Sequence, residues 1–130
     1  MQAKRIDHIA IAVKDLDAAV QTYQRNFGLQ KVEEGEVPAL GIRNAFLQIG
    51  DAQLELITPQ VAQGPVADFL AQQEGGMYLL SLEVDDLDAA VAELQSNGTR
   101  VNIAEGREGQ RIAFVSPSAT HGVLLQLLQR

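Results

Sequence analysis

Two side chains with acid–base chemistry lie in apolar segments of this sequence. His8, one of only two histidines, directly precedes the apolar run 9–13, and Glu55 lies between apolar residues in the segment 54–57. Imidazole and carboxylate groups serve both general acid–base catalysis and metal binding. The alternative is structural, because a histidine in a strand is often a core residue and a glutamate in a strand is often solvated.

Two arginines occupy matching positions in a repeated pattern. Arg43 lies in the pattern Gly-x-Arg-x-Ala-Phe at 41–46, and Arg111 lies in the same pattern at 109–114. One interpretation is that both are strand arginines that are solvated or held in ion pairs. The other is that one of them binds a substrate carboxylate or phosphate, because the planar guanidinium matches both anions.

The arginine pattern is part of a longer internal duplication. Residues 15–20 and 86–91 share the sequence Asp-Leu-Asp-Ala-Ala-Val at an offset of 71 residues. The same offset relates Glu55 to Gln126. Ordered matches at nearly constant spacing indicate one unit present twice. We therefore expect Glu55 and Gln126 to face the same cleft.

Each half of the sequence has the pattern β-α-β-β-β. Alternating apolar residues predict strands, and apolar residues at helical spacing predict one helix per half. In the first half the strands are expected at 6–13, 29–34, 42–49 and 53–58, and the helix at 15–27. In the second half the strands are expected at 77–84, 100–103, 111–115 and 122–129, and the helix at 87–96. Asp15 is the expected N-cap of the first helix, and Gly28 is the expected stop.

The two halves together predict an α+β fold in one domain, residues 1–130. Module 1 spans about 4–59, a linking helix about 65–74, and module 2 about 76–130. One helix covers only one face of a four-stranded sheet, so a single module would leave the other face in water. Two modules can form a curved eight-stranded mixed sheet around a cleft, where a small ligand would bind.

Composition excludes several classes of function. The chain has no cysteine, which excludes disulfides, zinc–thiolate sites and a cysteine nucleophile. Its net charge is −7 with no basic cluster, which argues against nucleic-acid binding. No apolar run approaches the length of a membrane span, and no signal peptide is recognisable, so we expect a cytoplasmic protein.

Several segments resemble the vicinal oxygen chelate superfamily, which includes glyoxalase I, bleomycin-resistance proteins and extradiol dioxygenases. Within it, the sequence is most similar to the methylmalonyl-CoA epimerases. The similarity covers nearly the whole chain and lies in residues 7–13, 36–42, 45–50, 54–59, 75–76, 109–118 and 120–126.

The resemblance implies a divalent metal site built from the first and last strands of each module. The corresponding positions are His8, Glu55, 79 and 126, but Leu79 replaces the expected second histidine and Gln126 replaces the expected glutamate. The remaining ligand candidates are His8, Glu55 and the amide oxygen of Gln126. They are a poor set for Co, Ni, Mn or Zn. By the same resemblance, His121 is a candidate substrate contact at the rim of the cleft.

Three functions stay open at this point. The first is a metal-dependent isomerase or lyase of the epimerase or glyoxalase kind with an altered site. The second is a metal-free enzyme that uses Glu55 as the catalytic acid–base group on a small acyl or 2-oxo compound. The third is a non-catalytic binding protein of the resistance type. The resemblance also implies that the partner of the chain is a second copy, in a homodimer.

Overall fold

The computed structural model describes residues 1–130, which form eight strands and three helices. The strands are β1 Ala3–Ala12, β2 Gln30–Val37, β3 Ile42–Ile49, β4 Ala52–Pro59, β5 Gly76–Val84, β6 Val101–Glu105, β7 Arg111–Val115 and β8 Leu125–Gln129. The helices are α1 Leu16–Phe27, α2 Pro65–Gln72 and α3 Leu87–Ser96. The element order confirms the predicted β-α-β-β-β pattern in each half and the helix between the halves.

The strands form one mixed sheet in the order β2-β3-β4-β1-β5-β8-β7-β6. The same pairing scheme occurs twice. β1 runs parallel to β4, with β3 and then β2 added antiparallel. β5 likewise runs parallel to β8, with β7 and then β6 added antiparallel. The predicted α+β class and eight-stranded mixed sheet are therefore confirmed.

The chain divides into two compact units whose boundary falls inside β1. One unit is His8–Tyr78, and the other combines Met1–Asp7 with Leu79–Arg130. We call them the first and second unit, after the module that each mainly contains. The first strand begins earlier than the predicted range 6–13, since β1 starts at Ala3. The first five residues of β1 belong to the second unit.

Each unit packs its helix against one face of its strands. In the first unit, Leu16 and Val20 of α1 pack with Leu54 and Leu56 of β4. In the second unit, α3 packs on β5, β7 and β8 through the buried residues Val84, Leu87, Ala90, Val91, Ala113, Val115 and Leu127. Since side chains alternate along a strand, the residues between these core positions point to the opposite sheet face.

Local signals define the ends of α1 as predicted. The Asp15 carboxylate accepts a hydrogen bond from the Ala18 backbone N–H at 3.0 Å, which satisfies one free donor of the first turn. Gly28 ends the helix in the left-handed region at φ 68°. Two strand boundaries were predicted wrongly. The strand expected at 29–34 continues as β2 to Val37 before a short 3₁₀ turn, Pro38–Leu40, and the strand expected at 122–129 begins as β8 only at Leu125.

Candidate functional site

Glu55 is a buried carboxylate on the sheet face away from α1. It alternates along β4 with the core residues Leu54 and Leu56, and 8% of the residue is exposed. Ala10 is its neighbour on β1. The methyl group of Ala10 offers no polar partner, so the carboxylate must find its partners elsewhere.

His8 supplies one of these partners. Its Nε2 lies 3.2 Å from Glu55 Oε1, and both side chains are about nine-tenths buried. The imidazole ring also packs edge-on against Phe46, with 5.7 Å between the ring centroids and 86° between the planes. Phe46 is the cross-strand neighbour of Glu55 on β3, so it holds the ring beside the carboxylate.

Asn44 supplies the other partner, and the sequence analysis missed it. Its Nδ2 donates a hydrogen bond to Glu55 Oε2 at 2.8 Å, and only 1% of the residue is exposed. The one available signal was a polar amide within the apolar strand 42–49. Its significance depends on the pairing of β3 with β4, which a single sequence does not show.

These three residues can hold and move a proton. Each Glu55 oxygen has one side-chain partner, and a carboxylate oxygen has a second lone pair that can still accept a proton or a hydrogen bond. The low exposure of the site keeps bulk water from competing, which strengthens each interaction. The arrangement therefore suits acid–base chemistry at Glu55, with His8 and Asn44 fixing the carboxylate.

His8 and Glu55 are the two expected metal ligands whose side chains the structure brings together. His8 Nε2 and Glu55 Oε1 could both turn to one ion, but catalytic metal sites use at least three protein ligands. No group of three or more His, Asp or Glu side chains is placed to hold a metal ion. Leu79, a buried residue of β5, has no donor atom.

Gln126 has a different partner from that of Glu55. It lies on β8 of the second unit, is 7% exposed, and its Nε2 donates to Ser81 Oγ at 3.1 Å. Ser81 is its neighbour on β5, as Ala10 is the neighbour of Glu55 on β1. The serine hydroxyl thus binds the amide directly, where the alanine leaves the carboxylate to His8. A ligand role for Gln126 stays a prediction.

The two arginines each pair with an aspartate in the first turn of a helix. Arg111 Nη2 donates to Asp88 Oδ1 of α3 at 2.6 Å, and this interaction lowers the pKa of Asp88. Arg43 Nη2 lies 3.9 Å from Asp17 Oδ1 of α1 and 3.6 Å from a Glu34 oxygen. This placement favours the ion-pair interpretation, and a substrate contact through either arginine stays a prediction.

Two further features lie apart from the Glu55 cluster. His121 is exposed in the turn before β8, in the left-handed region at φ 61°, and its substrate contact also stays a prediction. The residues that line an open pocket of about 490 Å³ at the start of α1 include Lys14, Asp17, Arg43, Thr58 and Gln60. None of His8, Asn44 and Glu55 lines it.

The fold and site define a class of protein. Residues 7–114 match the family model of the glyoxalase/bleomycin resistance protein/dioxygenase superfamily. The chain belongs to this superfamily, as the sequence motifs predicted.

The similarity to one group within the superfamily is also confirmed. The chain is 35% identical to human mitochondrial methylmalonyl-CoA epimerase, over 96% of this chain and 73% of the human protein. It is 32% identical to the ethylmalonyl-CoA/methylmalonyl-CoA epimerase of Cereibacter sphaeroides, over 96% of this chain and 97% of that protein.

Solved structures agree with these relationships. The methylmalonyl-CoA epimerase of Mycobacterium tuberculosis has a TM-score of 0.92 and 34% identity, over 98% of this chain and 88% of that chain. A variant of the Streptomyces coelicolor enzyme in complex with 2-nitronate-propionyl-CoA has a TM-score of 0.93 and 33% identity, over 98% and 95% of the two chains. The chain is therefore a methylmalonyl-CoA epimerase-like member of the superfamily. None of its helices is long and apolar enough to span a membrane.

Proposed function

We propose that this chain acts on a small acyl or 2-oxo compound, and that Glu55 is the catalytic acid–base group. The observation that carries the proposal is the buried Glu55 carboxylate held between His8 and Asn44. Relatives that are methylmalonyl-CoA epimerases, one of them solved in complex with methylmalonyl-CoA, support an acyl-CoA as the substrate class.

The proposed step is removal of a proton α to a carbonyl. A Glu55 oxygen forms a bond to the proton, and the electron pair of the C–H bond moves into the carbonyl to give an enolate. The abstracted proton exchanges with solvent, and the same oxygen then returns a proton to the carbon. Because one base serves both directions, exchange of the α proton with solvent is expected to exceed inversion of the carbon.

In the proposed function the protein holds no resident metal. An imidazole and a carboxylate alone are too few ligands for a stable Co, Ni, Mn or Zn site. Enolate stabilisation by a Lewis acid would then be missing, and such stabilisation is usually the largest catalytic term. We expect purified protein to carry well below one metal per chain in elemental analysis. Stoichiometric metal that is lost in His8→Ala would contradict this part.

The decisive experiment follows α-proton exchange. The protein is incubated with methylmalonyl-CoA in D₂O, and loss of the α-proton signal is measured by NMR against the spontaneous rate. Glu55→Gln keeps the shape of the side chain but removes the base, so exchange should fall to the spontaneous rate. Glu36→Gln, an exposed carboxylate on β2 that bonds Gln60, is the matched control and should exchange like the wild type.

The alternative function is non-catalytic binding of the same class of compound. The observation in its favour is that both Glu55 oxygens already have a side-chain partner, so the carboxylate is well stabilised as it stands. This function predicts saturable binding of the acyl-CoA in calorimetry with no exchange above the spontaneous rate. Binding together with exchange that depends on Glu55 would exclude it.

Two further features complete the proposal, and only the homodimer comes from the resemblance. We infer a homodimer and a cytoplasmic location. Light scattering coupled to size-exclusion chromatography measures the mass in solution, and a monomer at micromolar concentration would contradict the dimer.

A further inference from the structure

Asn44 is a fully buried amide in the middle of a strand. Its neighbours on β3, Ala45 and Leu47, belong to the apolar core beneath α1. Burying an amide is unfavourable unless its hydrogen bonds are made, so such a residue is retained in a core only with a partner. The Asn44 amide donates to the carboxylate of Glu55.

The contacts of Asn44 are arranged across three strands. Its nitrogen faces β4 and donates to Glu55 Oε2 at 2.8 Å. Its oxygen faces β2, where a Cβ atom at Gly35 would lie 3.8 Å away. The bond to Oε2 fixes the rotation of the carboxylate, so that the other oxygen, Oε1, faces His8 at 3.2 Å.

The second unit provides an internal comparison. Asn44 is paired with Ile57 across β3 and β4, and Ile112 is paired with Leu128 in the same way across β7 and β8. Ile112 therefore occupies the position equivalent to Asn44. In the same unit the position of Glu55 is taken by Gln126.

The position of His8 is likewise taken by Leu79 in the second unit, at the offset of 71 residues. In the first unit the amide at position 44 thus occurs together with the carboxylate and the imidazole. In the second unit the carboxylate and the imidazole are both replaced, and the amide is replaced by an apolar residue. This joint replacement is expected if the amide serves the carboxylate rather than the stability of the strand.

We propose that Asn44 is a positioning residue that holds Glu55 in the orientation required for proton transfer beside His8. The proposal rests on the proposed function for its catalytic meaning. The orientation of the Glu55 side chain can be measured separately from the catalytic activity.

The first measurement is the catalytic effect. Asn44→Leu keeps the branched arrangement of heavy atoms without a donor, and kcat for α-proton exchange should fall by about tenfold to a hundredfold, the range expected when a hydrogen bond to a charged group is lost. KM should change less than about threefold, because Asn44 is almost fully buried and donates to Glu55. Asn44→Ala is the second variant if Asn44→Leu does not fold.

The second measurement does not depend on activity. The ring nitrogen shifts of His8 in ¹⁵N NMR report the hydrogen bond of its Nε2. They should change in the Asn44 variants, because Oε1 is no longer held toward the ring. The matched control is Thr58→Val, which removes a different hydrogen bond of β4, the one that the Thr58 hydroxyl donates to the Lys14 carbonyl. It should leave both the His8 shifts and kcat unchanged.

The outcomes separate the two proposals. Absence of exchange in the wild type would overturn the proposed function, while changed His8 shifts in the Asn44 variants would still support positioning. Unchanged His8 shifts in a folded Asn44 variant would overturn the positioning proposal whatever the exchange rate. A fall in kcat that Thr58→Val reproduces would also overturn it, because loss of any buried hydrogen bond in β4 would then suffice.

Discussion

At the scale of single residues, the sequence predicted that the two arginines are equivalent, but their chemical role depends on which side chains lie beside them. Arg43 and Arg111 are equivalent by duplication, and so are the aspartates they face, Asp17 and Asp88. Each arginine therefore joins the third strand of its unit to the helix that precedes it. A guanidinium already paired in this way is less available to a substrate anion, although both side chains remain partly exposed.

The Arg111–Asp88 pair makes a prediction about pH. The pKa of Asp88 is lowered in the folded protein by the Arg111 hydrogen bond, so the pair stabilises the fold above the ordinary carboxyl pKa of about 3.8. This contribution is lost as the pH falls through the lowered folded pKa. We expect Asp88→Asn to lower Tm slightly at pH 7 and not at pH 2.

Thermal unfolding of both proteins at the two pH values tests this prediction. Asp51→Asn, in the turn between β3 and β4, is the control and should give no pH-dependent difference. Because Asp88 is exposed, a large loss of stability at pH 7 would contradict a simple surface pair.

At the scale of elements, the helices follow from local rules. α1 and α3 both begin after an aspartate whose carboxylate accepts from the backbone N–H three residues later, at 3.0 Å in each case. The repeated sequence 15–20 and 86–91 contains this cap, so the helix starts were predictable from the chain alone. The extent of β1 was less predictable, because its first residues belong to the second unit and lack an apolar pattern.

The matched caps allow a paired test. Asp15→Ala and Asp86→Ala should each lower the free energy of unfolding by about 1 kcal/mol, the usual effect of losing an aspartate N-cap. Urea denaturation followed by circular dichroism measures both. Asp51→Ala, which caps no helix, should be close to neutral, and an equal loss in that variant would show that the effect is not due to capping.

At the scale of the whole molecule, the duplication has kept the backbone pairing and changed the chemistry. Glu55 and Gln126 have equivalent cross-strand neighbours, Phe46 and Phe114. Their side-chain partners differ, however, because the surrounding residues differ. Glu55 bonds His8 and Asn44, which are replaced by Leu79 and Ile112 in the second unit, and Gln126 bonds Ser81, which is replaced by Ala10 in the first. One unit therefore holds a charged cluster and the other a neutral amide–hydroxyl pair.

This difference makes a prediction about stability. Gln126→Glu should be less stable than the wild type, since a carboxylate replaces a buried amide that donates to Ser81 Oγ. Urea denaturation followed by circular dichroism measures the difference, and a variant as stable as the wild type would contradict the prediction.

The sequence by itself determined the duplication, the helix ends, the mixed α+β class and the candidates His8 and Glu55. All of these rest on spacing within a short stretch or on matches between two stretches. Only the tertiary structure revealed that Asn44 bonds Glu55 and that each arginine faces a helix aspartate. The physical reason is register: these contacts join residues on different strands or on a strand and a helix, and their distances depend on how the elements pack.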